Sequence, residues 1–262
     1  MIIMCRMLVA AGKVSLKPLL EGAMLMALDQ VRIHEYNQEK GLGTWQHKDG
    51  WGMAYLDDKK EWKIYTSIKP IFEDHDIKLF EGIDTTLAII HVRRSSVGEV
   101  RIENTHPFRC QFERENFIFC HNGTIKKEIT FLNSFIPHGT TDSEKLFYKL
   151  LPALHSNNPK TEITLILQDL QEYTGLNFFL SSPTSSIINI QAQKAPLFYQ
   201  MYMLQQERAI IVSSDPFPTV SIQSWKPIPT GNIFLLNHTT LGLTSYEEQF
   251  TPLSTLSPPK SS

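Results

Sequence analysis

Short runs rich in β-branched and aromatic residues, set apart by turn residues, occupy most of this chain and restrict the folds open to it. They fall at Met7–Ala11, Trp51–Leu56, Trp62–Thr66, Thr86–Val92 and Asn116–Cys120. They resume at Leu176–Leu180, Ile187–Ile190, Met201–Leu204, Ala209–Val212 and Ile233–Leu236. Gly12 closes the first run, and Asp57-Asp58-Lys59-Lys60 is a turn between the second and third. Helical spacing appears in three places only. Leu19, Leu20, Ala23, Met24, Ala27, Leu28 and Val31 predict a helix over Leu16–Ile33, with Pro18 in its first turn, where proline is tolerated. A second helix is expected over Ser143–Leu151, opened by a capping box of Thr141 and Glu144, and a third over Glu162–Tyr173. Strands on both sides of a central helical stretch, with no linker and no repeat, predict antiparallel sheets packed together and covered by helices in one domain.

The chain has 262 residues, 42% of them hydrophobic, which is ample for a core and excludes disorder over most of its length. The Ser- and Pro-rich segment Thr251–Ser262 reads as a flexible tail. A formal charge of −2 gives no basic surplus for nucleic acid or for an anionic membrane surface. Cys5, Cys110 and Cys120 have no framework spacing, so the expected compartment is a reducing cytoplasm. Arg6 interrupts the apolar start, which does not read as a secretory signal, and no apolar run reaches the length of a membrane span.

Cys5 carries the chemistry. If Met1–Met4 are absent from the mature protein, through a translation start at Met4 or cleavage of a leader, Cys5 holds both a thiol and a free α-amine. The amine, with a reference pKa of about 7.7–8.0, can act as general base for the sulfur beside it. Asn122-Gly123 offers a side-chain amide and a backbone N–H for an oxyanion, although the same dipeptide is a hairpin-turn signal. Arg93 can hold a carboxylate bidentately. Asp142 can hold an ammonium group, or simply sit in the favourable field of a helix start. Together the last two suit the α-carboxylate and α-amine of an amino acid. Cys110 and Cys120 read as structural. His91, His121 and Cys120 lack zinc-type spacing, so neither a metal nor a cofactor is expected.

Six segments occur in family order: Met4-Cys5-Arg6, Asp49-Gly50-Trp51-Gly52, His91-Val92-Arg93 with Gly98, Asn104-Thr105-His106-Pro107-Phe108, His121-Asn122-Gly123-Thr124 and Thr141-Asp142-Ser143-Glu144. With them the chain resembles the class II glutamine amidotransferases, of N-terminal-nucleophile hydrolase fold. The resemblance covers roughly the first 150 residues well. It implies a four-layer α-β-β-α sandwich of class α+β and one glutamine amidotransferase type 2 domain over residues 5–250. It also implies Cys5 as nucleophile, Asn122 and Gly123 as the oxyanion hole, and Arg93 and Asp142 as holders of the α-carboxylate and α-amine. His106 would take a supporting place near the pocket, and Ser96 a place at the carboxylate end. The nearest likeness is to a stand-alone subgroup that includes γ-glutamyl hydrolases of ergothioneine synthesis and enzymes of glutathione breakdown. Where the larger synthases tend to have glycine and tryptophan, this chain has Arg6 and Arg94.

The expected activity is cleavage of a γ-glutamyl amide, glutamine or a γ-glutamyl peptide or conjugate, through a thioester. An ammonia-channelling version calls for a separate synthase subunit, and a peptidase version for a partner of that kind. The alternative is a non-catalytic amino-acid-binding or scaffold protein on the same fold.

Overall fold

The computed structural model describes residues 5–31, 41, 43–220 and 224–245. The expected loss of Met1–Met4, the last predicted residues of the first helix (Arg32 and Ile33) and the tail Thr251–Ser262 lie outside the described residues.

The described chain begins with β1 (Arg6–Ser15), α1 (Leu16–Ala27), β2 (Trp51–Leu56), β3 (Trp62–Ser67), β4 (Asp84–Val92), β5 (Phe108–Phe112) and β6 (Glu115–Ile125). It continues with α2 (Asp142–Leu150), α3 (Pro159–Asp169), β7 (Tyr173–Ser181), β8 (Ser185–Ile190) and β9 (Tyr202–Gln205). It closes with β10 (Ala209–Ser213), β11 (Lys226–Pro227), β12 (Asn232–Asn237) and β13 (Leu243–Ser245). A seven-stranded sheet runs β11-β9-β10-β1-β4-β2-β3, and a six-stranded sheet runs β13-β12-β8-β7-β6-β5. Every pairing in them is antiparallel.

The period-2 alternation of each strand divides its side chains between two layers. Leu8, Ala10, Ala88 and Ile90 pack outward under α1 with Leu16, Leu19, Leu20 and Ala23. Their neighbours Met7, Val9, Ala11, Leu87 and Ile89 face the other way and meet Ile118, Cys120, Phe179 and Ile188 of the second sheet. Phe117, Phe119, Phe178 and Leu180 then pack outward against Leu146, Phe147 and Leu150 of α2 and Ile163 and Leu167 of α3. This is the expected α-β-β-α sandwich, with its central layer apolar.

Several boundaries differ from expectation. The first helix ends at Ala27 because Asp29 adopts a left-handed conformation (φ 57°) and turns back, accepting the Trp45 N–H on its carboxylate at 3.1 Å. β1 runs past Gly12 to Ser15 through a register shift between Ala11 and Val14. The capping box is half formed. Thr141 Oγ1 accepts from the Glu144 N–H at 3.2 Å, whereas the Glu144 carboxylate accepts from the N–H groups of His138 and Gly139, each at 2.8 Å. The third helix starts earlier, at Pro159 behind an Asn158 cap, and Tyr173 begins β7 instead of ending that helix. Asn122-Gly123 is not a hairpin turn: it lies within β6, opposite Asn177 and Leu176 of β7.

Candidate active site

Three strands deliver the site. β1 starts directly after Cys5; β4 ends at Val92, just before Arg93 and Arg94; and β6 carries His121, Asn122 and Gly123. β1 and β4 are paired as Arg6↔Val92, which brings the Cys5 end of one to the Arg93 end of the other.

Cys5 N donates to Asn122 Oδ1 at 2.9 Å across the two sheets, and its Sγ–H donates to the Arg94 carbonyl at 3.5 Å. With the Asn122 oxygen engaged in this way, its amide nitrogen Nδ2 is buried and has no partner. Beside it, a Cβ at Gly123 would collide with the Gly175 carbonyl, so only glycine allows β7 to approach this closely. Burial pushes the Cys5 thiol up to about 11. A backbone hydrogen bond at Arg94 and the Arg93 charge oppose the shift, and the Asp49 and Asp142 carboxylates add to it.

Arg93 is buried, not a surface charge. Its guanidinium donates to the carbonyls of Glu99 (3.2 Å), Val97 (3.1 Å) and Gly98 (3.3 Å), and to Ser95 Oγ (3.0 Å). Gly98 lies at φ 76°, where a side chain is strained. Burial lowers the Arg93 pKa, while Cys5 and Asp49 favour its charge. Asp49 accepts the Ser95 N–H on Oδ2 at 2.7 Å and so ties the loop before β2 to the segment that encloses Arg93. Asp142 accepts from Ile125 N at 2.6 Å and from Ser143 N at 3.0 Å. Ser96 is exposed, and its hydroxyl lies 2.7 Å from that of Thr124, next to Gly123.

A group of buried histidines backs these residues. His91 Nε2 donates to the His121 carbonyl at 3.3 Å. His121 Nε2 donates to the Gly175 carbonyl at 3.3 Å, so in the neutral ring Nδ1 accepts from the Ser143 hydroxyl at 2.8 Å. The His106 ring lies between those of His91 (4.2 Å) and Phe108 (4.4 Å), and neither of its nitrogens has a partner. Burial holds all three rings below the usual histidine range, His91 at about 3. They are therefore neutral at pH 7.

Cys5, Asn122, Gly123, Arg93 and Asp142 are thus brought to one end of the sandwich, with Ser96 at its rim and His106 behind it. Four features escaped sequence reading. Arg6 pairs with Asp215 at 2.7 Å while its guanidinium stacks 3.5 Å from the Phe198 ring centroid. His47 is buried and held neutral by burial and by the charges of Arg6 and Arg94. Asn104 bridges the Glu99 carbonyl (3.0 Å) and the Thr140 N–H (2.8 Å), linking the loop around Arg93 to the one before α2. Arg94 stacks on Trp45. Arg6 and Asn104 had a usable signal in their places in motifs, and Arg94 in its place after Arg93, but their contacts were not readable. Among the described residues, no group of three or more His, Cys, Asp and Glu could hold a metal ion. None of their helices is long and apolar enough to cross a membrane. A cleft of about 480 Å³ lies elsewhere, lined by residues that include Lys160, Gln168, Gln171, Gln191 and Asn232; none of the residues singled out from the sequence lines it.

The chain is similar to known proteins in sequence and in fold. The family profile "Glutamine amidotransferases class-II" matches residues 32–185. YafJ, a candidate glutamine amidotransferase of Escherichia coli (strain K12), is 30% identical over 215 residues, covering 74% of this chain and 83% of YafJ. A protein of Haemophilus influenzae, likewise a candidate glutamine amidotransferase, is 27% identical over 224 residues, covering 73% of this chain and 74% of its own. Among solved structures, the glutamine phosphoribosylpyrophosphate amidotransferase of B. subtilis superposes with a TM-score of 0.62 at 16% identity. That match covers 92% of this chain, which spans about half (48%) of the B. subtilis one. A class-II domain protein of Silicibacter pomeroyi gives a TM-score of 0.58 at 16% identity, covering 92% of this chain and 98% of its own. These last two likenesses bear on the fold, the N-terminal-nucleophile hydrolase sandwich. With the matched profile and the YafJ identity beside them, the chain belongs to the class II glutamine amidotransferases.

Proposed function

We propose that this protein is a cysteine-dependent amidohydrolase that cleaves a γ-glutamyl amide, either glutamine or a γ-glutamyl peptide or conjugate, through a γ-glutamyl thioester. The observation that carries the reading is the contact of Cys5 N with Asn122 Oδ1, which leaves the Asn122 amide nitrogen buried and unpartnered. A buried donor without an acceptor is unfavourable until an oxyanion arrives to take it.

In this reading Cys5 is the first residue of the active protein. With the thiol at about 11, almost none of it is ionised at pH 7, so a base has to act. The α-amine, with an ordinary pKa near ~8, lies below the raised thiol, so proton transfer and attack proceed together. Sulfur bonds to the γ-carbon, and the carbonyl oxygen becomes an oxyanion held by Asn122 Nδ2 and the Gly123 N–H. The C–N bond then breaks as the amine returns its proton to the leaving nitrogen. Water attacks the thioester in the same hole and releases glutamate and the thiol. Arg93 takes the α-carboxylate, exchanging carbonyl acceptors for a charged one that bonds roughly twice as strongly. Asp142 takes the α-ammonium, Ser96 lies at the carboxylate end, and His106 supports the pocket from behind. The chain forms one such domain over residues 5–250 and works in the cytoplasm, and a version that passes ammonia on does so to a separate synthase subunit.

A non-catalytic amino-acid-binding role is the second reading, favoured by the raised thiol and by the enclosure of Arg93 in its own loop. Intact mass after exposure to a glutamine analogue with an electrophile at the γ-position separates the two. A chain starting at Cys5 that gains one adduct, lost in Cys5→Ala, supports catalysis. An unlabelled chain that still binds glutamine supports the second reading.

A further inference from the structure

Arg93 and Arg94 leave the end of β4 side by side and meet opposite fates. The Arg93 guanidinium is surrounded by acceptors. That of Arg94 makes no hydrogen bond or ion pair among the described residues; its central carbon sits 4.7 Å from the Trp45 ring centroid, and Nη1 is buried with no acceptor. The neighbouring charges are already engaged. Asp215 holds Arg6, Asp49 holds the Ser95 N–H, and Asp142 holds two backbone N–H groups. His47 feels the positive charge of both Arg6 and Arg94 and is neutral, so it supplies no counter-charge. A guanidinium nitrogen withdrawn from water without an acceptor is unfavourable, and an anionic ligand group relieves it.

The position of this cation sets what it can read. The Arg94 carbonyl is the group that receives the Cys5 Sγ–H, so the thiol lies against the Arg94 backbone. Successive side chains of an extended segment point to opposite sides. Arg93 turns into the loop of residues 95–99, and Arg94 turns the other way, over Trp45. A substrate whose glutamyl end is on the Arg93 side extends its leaving group past the thiol toward Arg94. We infer that Arg94 binds a carboxylate on the leaving group, so that the site takes γ-glutamyl amides of amino acids or peptides in preference to glutamine, whose leaving group is ammonia. This rests on the assignment of Cys5 and Arg93 above, and adds the specificity-determining residue and the class of leaving group.

The test is binding to the Cys5→Ala protein, which needs no turnover. Titration calorimetry compares γ-glutamylglycine with γ-glutamylglycinamide, which lacks the carboxylate, with and without Arg94→Gln. The glycine ligand should bind about tenfold or more tightly than the amide, and Arg94→Gln should remove that difference by weakening the glycine ligand alone. Arg94→Lys should restore part of it, since it returns the charge without the planar fork. Equal affinity of the two ligands for Cys5→Ala itself overturns the inference, even if Arg94→Gln does not fold. Equal weakening of both by Arg94→Gln also overturns it, since Arg94 then serves the glutamyl end or the fold. The catalytic reading fails separately: intact protein that binds γ-glutamylglycine through Arg94 but never releases glycine contradicts hydrolysis and leaves the recognition standing.

Discussion

The middle of the sandwich and the end that holds Cys5 are built from the same strands one to three residues apart, and they have opposite character. β1 contributes Val9 to the apolar layer and Arg6 to the polar end, β4 contributes Ile89 and then His91, and β6 contributes Cys120 and then His121 and Asn122. In the middle, each residue is matched by apolar neighbours. At the end, His47, His106 and Asn122 keep buried polar atoms with no partner, and His91 keeps its Nδ1 so. Polar groups buried without partners destabilise a fold, so the central layers must offset what the site loses.

Acid should break this balance most completely. His47, His91, His106 and His121 are all held neutral in the fold below the ordinary value of 6.5, as is His238, at about 4. The unfolded chain therefore binds more protons than the folded one as pH drops below about 6.5, and stability present above that pH is lost on the way down. Four such groups at the site together give a slope of roughly 5 kcal/mol per pH unit at most, against a total stability of about 5–15 kcal/mol. Unfolding followed by circular dichroism should reach its midpoint above pH 4. A flat profile to pH 4 would show that the polar end carries no such penalty.

Next in size is the middle layer. Phe179→Ala, which empties space between the sheets, should remove about 3–5 kcal/mol of stability by denaturant melting. Asn122→Ala should weigh the other way: it deletes an already unsatisfied donor along with the acceptor of the Cys5 N–H, so stability should fall by only about 1–2 kcal/mol, but kcat for γ-glutamyl amide hydrolysis should be about 10²–10³-fold lower. Equal damage to stability and turnover by either variant would erase the distinction between the two regions. Thr141→Ala is the smallest. Loss of the cap at the start of α2 should lower stability by about 1 kcal/mol. It should also raise KM, since α2 opens with Asp142; an unchanged KM would place Asp142 away from the substrate.

The contrast also explains what the sequence made readable. Short apolar runs announced β2, β4 and the layers they join, because a strand buried on both faces leaves a local signal in its composition. Phe108–Phe112 went unread as a strand: at the edge of its sheet, with Arg109 and Gln111 exposed, it lacks the buried composition of the others. Asn122-Gly123 has the composition of a turn, but its pairing with Asn177 and Leu176, more than fifty residues on, overrides local preference. At the site, the residues with motif context could be named. Arg6–Asp215, His47 and the isolation of Arg94 could not, since each depends on segments far apart in the chain or on what is missing around a side chain.

β1 is the fourth of seven strands and is held on both sides, by β4 and by β10, with Met7 N bonded to Ser214 Oγ 207 positions later. A ribosome that makes about 5–20 residues per second needs roughly 10–40 seconds to travel that distance. Over that interval a nascent chain carries Cys5 on a strand with one flank open. Assembly of the site therefore waits for β10, and a product released before it keeps the cysteine without the architecture that surrounds it.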